Sequence, residues 1–220
     1  VRVQIKLGAG AERCQDVFMP DSPRTYGGVD GSARVADRRR ILIETGLDLL
    51  GTAKPDLTVR GVCRRAGVAS RYFYESFADR SALMEAVYDH VVEEVAAIAL
   101  DAVAAAPRDA RERVHVGIRA IVRAVADDPR RGFLLFSVTA VGDIVVAKRA
   151  ESTKMFARLL ATQATEFYGT TGDHDLDLTT YFVVGGFAQV LTAWLGGELE
   201  MDEEAVVVRC AELLLAASPR

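Results

Sequence analysis

Cysteine and histidine are scarce in this chain, three of each. Cys14, Cys63 and Cys210 are odd in number and widely spaced, so neither a disulfide framework nor a zinc cluster follows. Cys63 and Cys210 fall at apolar helical positions, where buried reduced thiols fit a reducing cytosol. His90, His115 and His174 are isolated. His174 stands among Asp173, Asp175 and Asp177, but loop carboxylates of this kind are ordinarily solvated, and no metal is expected. There is no phosphate-cradling loop, no HExxH and no Gly-x-Ser-x-Gly, so no catalytic residue is assigned and no cofactor is expected. The most apolar window, 181–195, falls short of the roughly 20 residues that span a bilayer and is interrupted by Gln189 and Thr192. A buried helix is expected there, with no membrane partner. Residues 1–10 lack a long apolar core, so no signal peptide is expected, and a cytoplasmic location is the expectation.

Alternation of period two is rare as well, which argues against strands. Half of the residues are apolar, and they recur mostly at helical spacing. An all-α fold follows. The net charge of −4 conceals an asymmetry. Residues 34–80 hold ten Lys/Arg and six Asp/Glu, a net +4, whereas residues 81–220 hold thirteen and twenty-one, a net −8. A basic unit on an acidic body suits DNA binding by one end only.

Within the basic unit, residues 58–80 read TVRGVCRRAGVASRYFYESFADR. Thr58 offers a hydroxyl suited to an N-cap, so a helix begins at Val59. Val59, Val62, Cys63 and Ala66 lie on one face, and Gly67 stands where a C′ glycine ends a helix. A second helix over 70–77 points Phe73 and Phe77 inward and exposes Ser70, Arg71, Tyr72, Tyr74 and Ser76. Asp79 is suited to cap the next helix. Two short helices joined by a Gly-containing turn form a helix-turn-helix, whose second helix enters the major groove. Arg38, Arg39 and Arg40 lead a preceding helix over 35–52, with Leu42, Gly46, Leu49 and Leu50 inside, and are placed to neutralise phosphates.

The run over 38–83 resembles the N-terminal domain of the TetR family of transcriptional regulators. The resemblance rests on Thr58, Val62, Cys63, Ala66, Gly67, Val68, Ala69, Phe73, Tyr74, Phe77, Arg80 and Leu83 in ungapped spacing. Ala69 stands where the family usually has serine, Cys63 where it has alanine, and Gly61 lies inside the second helix. The resemblance implies that Tyr74 donates to a phosphate. Ser70 and Arg71, nearer the helix N-terminus, are expected to reach base edges. Thr58, Arg60, Arg64, Tyr72 and Arg80 complete the expected DNA-facing surface.

Residues 1–33 have no sustained period and many glycines and prolines, and are expected to be a disordered extension; Met19 is expected to be the native start. The unit over 34–80 is expected to be the DNA-binding domain. Residues 81–220 form a helical effector-binding and dimerisation domain, with helices expected over 80–105, 110–126, 143–168, 176–195 and 202–217 and a short apolar piece over 133–138. The helix over 176–195 is apolar nearly all round, so both its faces must be buried. One packs on the body and the other on a second subunit, with Gly185, Gly186 and Trp194 at the contact. That pair of C-terminal helices resembles the family's four-helix dimer bundle. An effector pocket is expected among Ile118, Val122, Phe133, Phe136, Met155, Phe156 and Leu159, a lining suited to an apolar ligand. The expected whole is a homodimeric regulator of operator DNA, a repressor released by a small molecule. The alternatives are a helical ligand-binding or scaffold protein without specific DNA binding, or an enzyme with an unrecognised site.

Overall fold

The computed structural model describes residues 31–137, 142–168 and 174–217. Among them are nine α-helices and no strand. Helix α1 runs Gly31–Leu50, four residues earlier than expected. Residues 31–33 therefore belong to it; Ala33 and Arg34 favour helix, and nothing between Gly31 and Val35 breaks one. Met19 and the rest of 1–30 lie outside the described residues. Leu42, Thr45, Gly46, Leu47 and Leu50 of α1 are buried, whereas residues 32–37 are exposed.

Helix α2, Val59–Ala66, starts as its sequence dictates: Thr58 Oγ1 accepts from Gly61 N at 3.1 Å. A Cβ on residue 61 would stand 2.8 Å from that oxygen, so the glycine gives the cap room. Gly67 ends the helix at φ 66°, the left-handed region that glycine enters without strain. Helix α3 is Ser70–Ser76, one residue shorter than expected, because Phe77 turns to extended backbone with its N–H on Phe73 O. Phe73 and Phe77 are buried with ring centroids 5.8 Å apart.

Helix α4, Arg80–Ala105, is capped by Asp79, which accepts from Ala82 N at 2.9 Å. Leu83, Val87, Val91 and Val95 line its buried face, but Ile98 emerges to solvent. Its first half completes the core of α1–α3, where Gly46 lets α1 close on Val87; a Cβ at 46 would fall 2.6 Å from Val87 Cγ2. Helix α5 is Ala110–Ala126 and α6 is Pro129–Phe136. The Asp128-Pro129 pair, expected only to break α5, also starts α6: Asp128 accepts from Arg130 N, and Pro129 takes the first turn, where its missing N–H costs nothing. The short apolar piece is thus the second half of α6, and Val138 lies outside the described residues.

Helices α7, Asp143–Tyr168, α8, His174–Leu195, and α9, Glu203–Ala217, complete the body. A second apolar cluster joins Ile118 and Val122 of α5 to Leu191 of α8 and Val206, Val207 and Cys210 of α9. On α8 the segment Asp177–Leu195 is long and apolar enough to cross a membrane by length and composition, at 19 residues and a mean hydropathy of 1.4. It exceeds the 181–195 window because residues 177–180 add length with only one charge, that of Asp177.

Candidate nucleic-acid interface

Helices α2 and α3 present the polar side of the basic unit. Thr58, Arg60, Arg64, Ser70, Arg71 and Arg80 are exposed, and Tyr72 is half-buried. Tyr74 is 59% exposed, its ring set T-shaped against that of Phe73 with centroids 5.4 Å apart. The hydroxyl of Thr58 already serves as the α2 cap.

The three arginines of α1 differ in setting. Arg38 lies with its guanidinium carbon 4.6 Å from the centre of the Tyr72 ring and its Nη2 3.5 Å from Glu75 Oε2. Arg39 donates from Nη1 to the carbonyl of Ser76 at 3.2 Å and stacks on Phe77 at 4.4 Å. That carbonyl ends α3, where a cation also meets the negative end of the helix dipole. Two of the three arginines therefore brace α3 from α1. Arg40 points outward, loosely paired with Asp37 at 3.8 Å. Arg71 stacks on the Tyr72 ring at 4.4 Å and donates to its hydroxyl. Glu75, absent from the expected surface, shares this cluster.

A chain of ion pairs ties the basic unit to the body. Arg130 of α6 donates to Glu44 at 2.7 Å and to Asp48, both on α1, and to Asp128 at 2.8 Å. Asp48 in turn accepts from Arg65 of α2 at 3.2 Å. The hydrogen bond from Arg130 holds the Asp128 carboxyl below the usual range, and the bond to Asp128 raises the Arg130 guanidinium further. Gly51 permits the close approach, since a Cβ there would lie 2.5 Å from Arg130 Cβ. Arg131 adds a 2.8 Å pair to Glu94 of α4.

The expected pocket residues do not share one neighbourhood. Ile118 and Val122 belong to the α5–α8–α9 cluster. Met155 and Phe156 pack against the core that reaches α1–α4, and Phe136 touches both clusters. Leu159 is half-buried, and Phe133 is exposed. Polar groups lie close by: Tyr88, nearly fully buried, shares a hydrogen bond of 3.2 Å with Ser152, and burial raises its phenol. Arg149 donates to the carbonyl of Ser137 at 2.6 Å, beside the end of α6.

Of the expected dimer residues, Gly185 and Gly186 are exposed on α8. Leu178 and Phe182, 72% and 76% exposed, continue the same stripe. Trp194 is turned the other way and donates from Nε1 to Met201 O at 2.9 Å. Leu213 adds an exposed apolar side chain from α9.

No family model and no curated protein matches the chain. Solved structures do. The fatty acid degradation regulator FadR of Bacillus halodurans superposes with a TM-score of 0.67 at 17% identity, over 81% of this chain and 94% of that one. FadR of Bacillus subtilis, solved with stearoyl-CoA, gives 0.64 at 16% identity over 81% and 98%. A TetR-family transcriptional regulator of Streptomyces coelicolor gives 0.66 at 17% identity over 83% and 80%. The all-α fold of this chain is the one these regulators share.

Proposed function

We propose that this chain, folded as TetR-family regulators are, is a sequence-specific DNA-binding transcriptional regulator that works as a homodimer. The observation that carries the reading is the braced helix-turn-helix, with Ser70, Arg71 and Tyr74 of α3 turned to solvent on the basic unit. Phosphates are met by Arg40, Arg60, Arg64 and Arg80, and such contacts release counterions, which makes binding fall steeply with salt. The apolar stripe Leu178, Phe182, Gly185 and Gly186 pairs with its copy on a second subunit, and the dimer sets two recognition helices about 34–36 Å apart.

The regulator is a repressor released by a small apolar effector. The Phe136, Met155 and Phe156 side chains between α4, α6 and α7 supply the apolar lining. A fatty-acyl thioester, the class bound by FadR of Bacillus subtilis, is the first effector to try. Binding against the distal half of α4 swings the near end, next to the recognition helix, and spoils the spacing. Only a ligand that prefers the displaced spacing moves the equilibrium, and operator DNA then weakens that ligand by the same factor. A cytoplasmic location goes with this role.

The test is selection of duplexes from a random library by the purified protein, followed by protection mapping on DNA flanking its gene. Two related half-sites are expected, one helical turn apart or a multiple. Flat binding to every duplex would leave the scaffold alternative standing.

A further inference from the structure

Glu75 is the one acidic residue of α3, and nothing within that helix itself calls for it; its one polar contact among the described residues is the long pair with Arg38 of α1. It lies in the last turn of α3, where the helix dipole disfavours an anion, on a surface that must approach phosphates. Its side chain is 49% exposed. Arg38 reaches only Oε2, at 3.5 Å, well beyond the roughly 2.7–2.9 Å of a strong charge-assisted bond. Among the described residues Oε1 has no partner. One turn earlier on the same face, Tyr72 is packed under both Arg38 and Arg71. One carboxylate oxygen is therefore paired loosely with a cation from α1, while the other has no partner among the described residues on a half-exposed side chain.

We infer that Glu75 is a specificity-determining acceptor for a cytosine amino group, with Arg38 as its positioning residue; this rests on the DNA-binding reading above. In the major groove only cytosine N4 and adenine N6 donate from an amino group. Adenine sets its N7 acceptor beside the amino group, which repels a carboxylate, whereas the cytosine edge carries the donor alone. Oε1 takes the cytosine proton donor while Oε2 keeps Arg38. Where no amino donor meets it, the carboxylate faces phosphates uncompensated, so Glu75 also weakens binding to wrong sequences.

The experiment is parallel selection from a random duplex library with the full-length parent, its Glu75→Gln, Glu75→Ala and Arg38→Ala variants, and the Glu75→Ala, Arg38→Ala double variant. The parent is expected to require cytosine at one position of each half-site. Glu75→Gln is expected to exchange it for adenine, which glutamine reads through N6 and N7, with the other positions kept. Glu75→Ala is expected to lose discrimination there by roughly tenfold or more and to bind random duplex more tightly. Arg38→Ala should relax the same position and add nothing in the Glu75→Ala background, a coupling that a merely structural role would not produce. Unchanged base profiles for both Glu75 variants, or relaxation of every position together, would overturn the inference while leaving the regulator reading intact. A parent that selects no sequence at all would overturn the regulator reading itself.

Discussion

Arg130 Nη1 lies 2.5 Å from Asp48 Oδ1, joining the start of α6 to α1, the helix that braces α3. Asp48 passes the contact to Arg65 of α2, so the body reaches the helix-turn-helix by a second route beside α4. Arg130→Ala would leave Glu44, Asp48 and Asp128 facing one another without their shared cation. Arg130 and Asp48 are about a third exposed and Glu44 about half, which moderates the loss; urea unfolding should show a drop of about 1–2 kcal/mol. An unchanged midpoint would mean that solvent replaces the arginine without cost.

Stability should fall at both ends of the pH scale for identifiable reasons. Asp128 has a folded value below its unfolded one because Arg130 donates to it. Its contribution is present above an unfolded value of about 3.9 and is lost as pH falls through the folded value. Tyr88 has the opposite sign: burial raises its folded value, so its contribution is whole below about 10 and is lost as pH rises through the folded value. Lys148, raised by Asp89 and then Glu151, declines in the same alkaline direction. Asp128→Asn should flatten the acid limb, and Tyr88→Phe part of the alkaline limb, in urea midpoints taken across pH. Limbs identical to the parent's would contradict both assignments.

On the DNA side, positioning and readout should separate. Tyr74→Phe removes one exposed hydroxyl and should cost on the order of 1 kcal/mol equally on selected and random duplexes. Arg80→Ala should lower the slope of log K against log salt by roughly 1 per half-site. Arg39→Ala should do more, because Arg39 also holds Ser76 O and Phe77; the thermal midpoint should drop with the affinity. A slope unchanged by Arg80→Ala would place that side chain away from phosphate.

The helix-turn-helix was readable because its determinants are local. Thr58, Gly67, Phe73 and Phe77 act within a few residues of themselves, and the structure keeps each in the expected role. The partition among Arg38, Arg39 and Arg40 was not readable, since it depends on α1 crossing α3 at a separation of 37 residues. The place of Glu75 in this cluster depends on the same crossing. At 127–129 the sequence holds one signal with two meanings: Asp and Pro stop one helix and start the next. The expected pocket residues were chosen as apolar helical positions, but the register between helices sends them to two clusters. Trp194 shows the same limit, its indole N–H being turned to Met201 O and away from the Gly185–Gly186 stripe.

The proposed dimer is the frame on which the proposed two-site DNA recognition depends, and Gly186 offers a clean way to test it. A Cβ at 186 meets nothing within 4 Å inside the protomer, so Gly186→Leu adds bulk only where a second subunit would sit. Molecular mass by light scattering, taken beside a titration with the selected duplex, is the decisive measurement. The account predicts a dimeric parent and a monomeric Gly186→Leu variant that keeps its helical content and loses duplex affinity steeply, since one half-site remains to it. A monomeric variant that binds the duplex as tightly as the parent would contradict the dimeric frame, and with it the spacing mechanism.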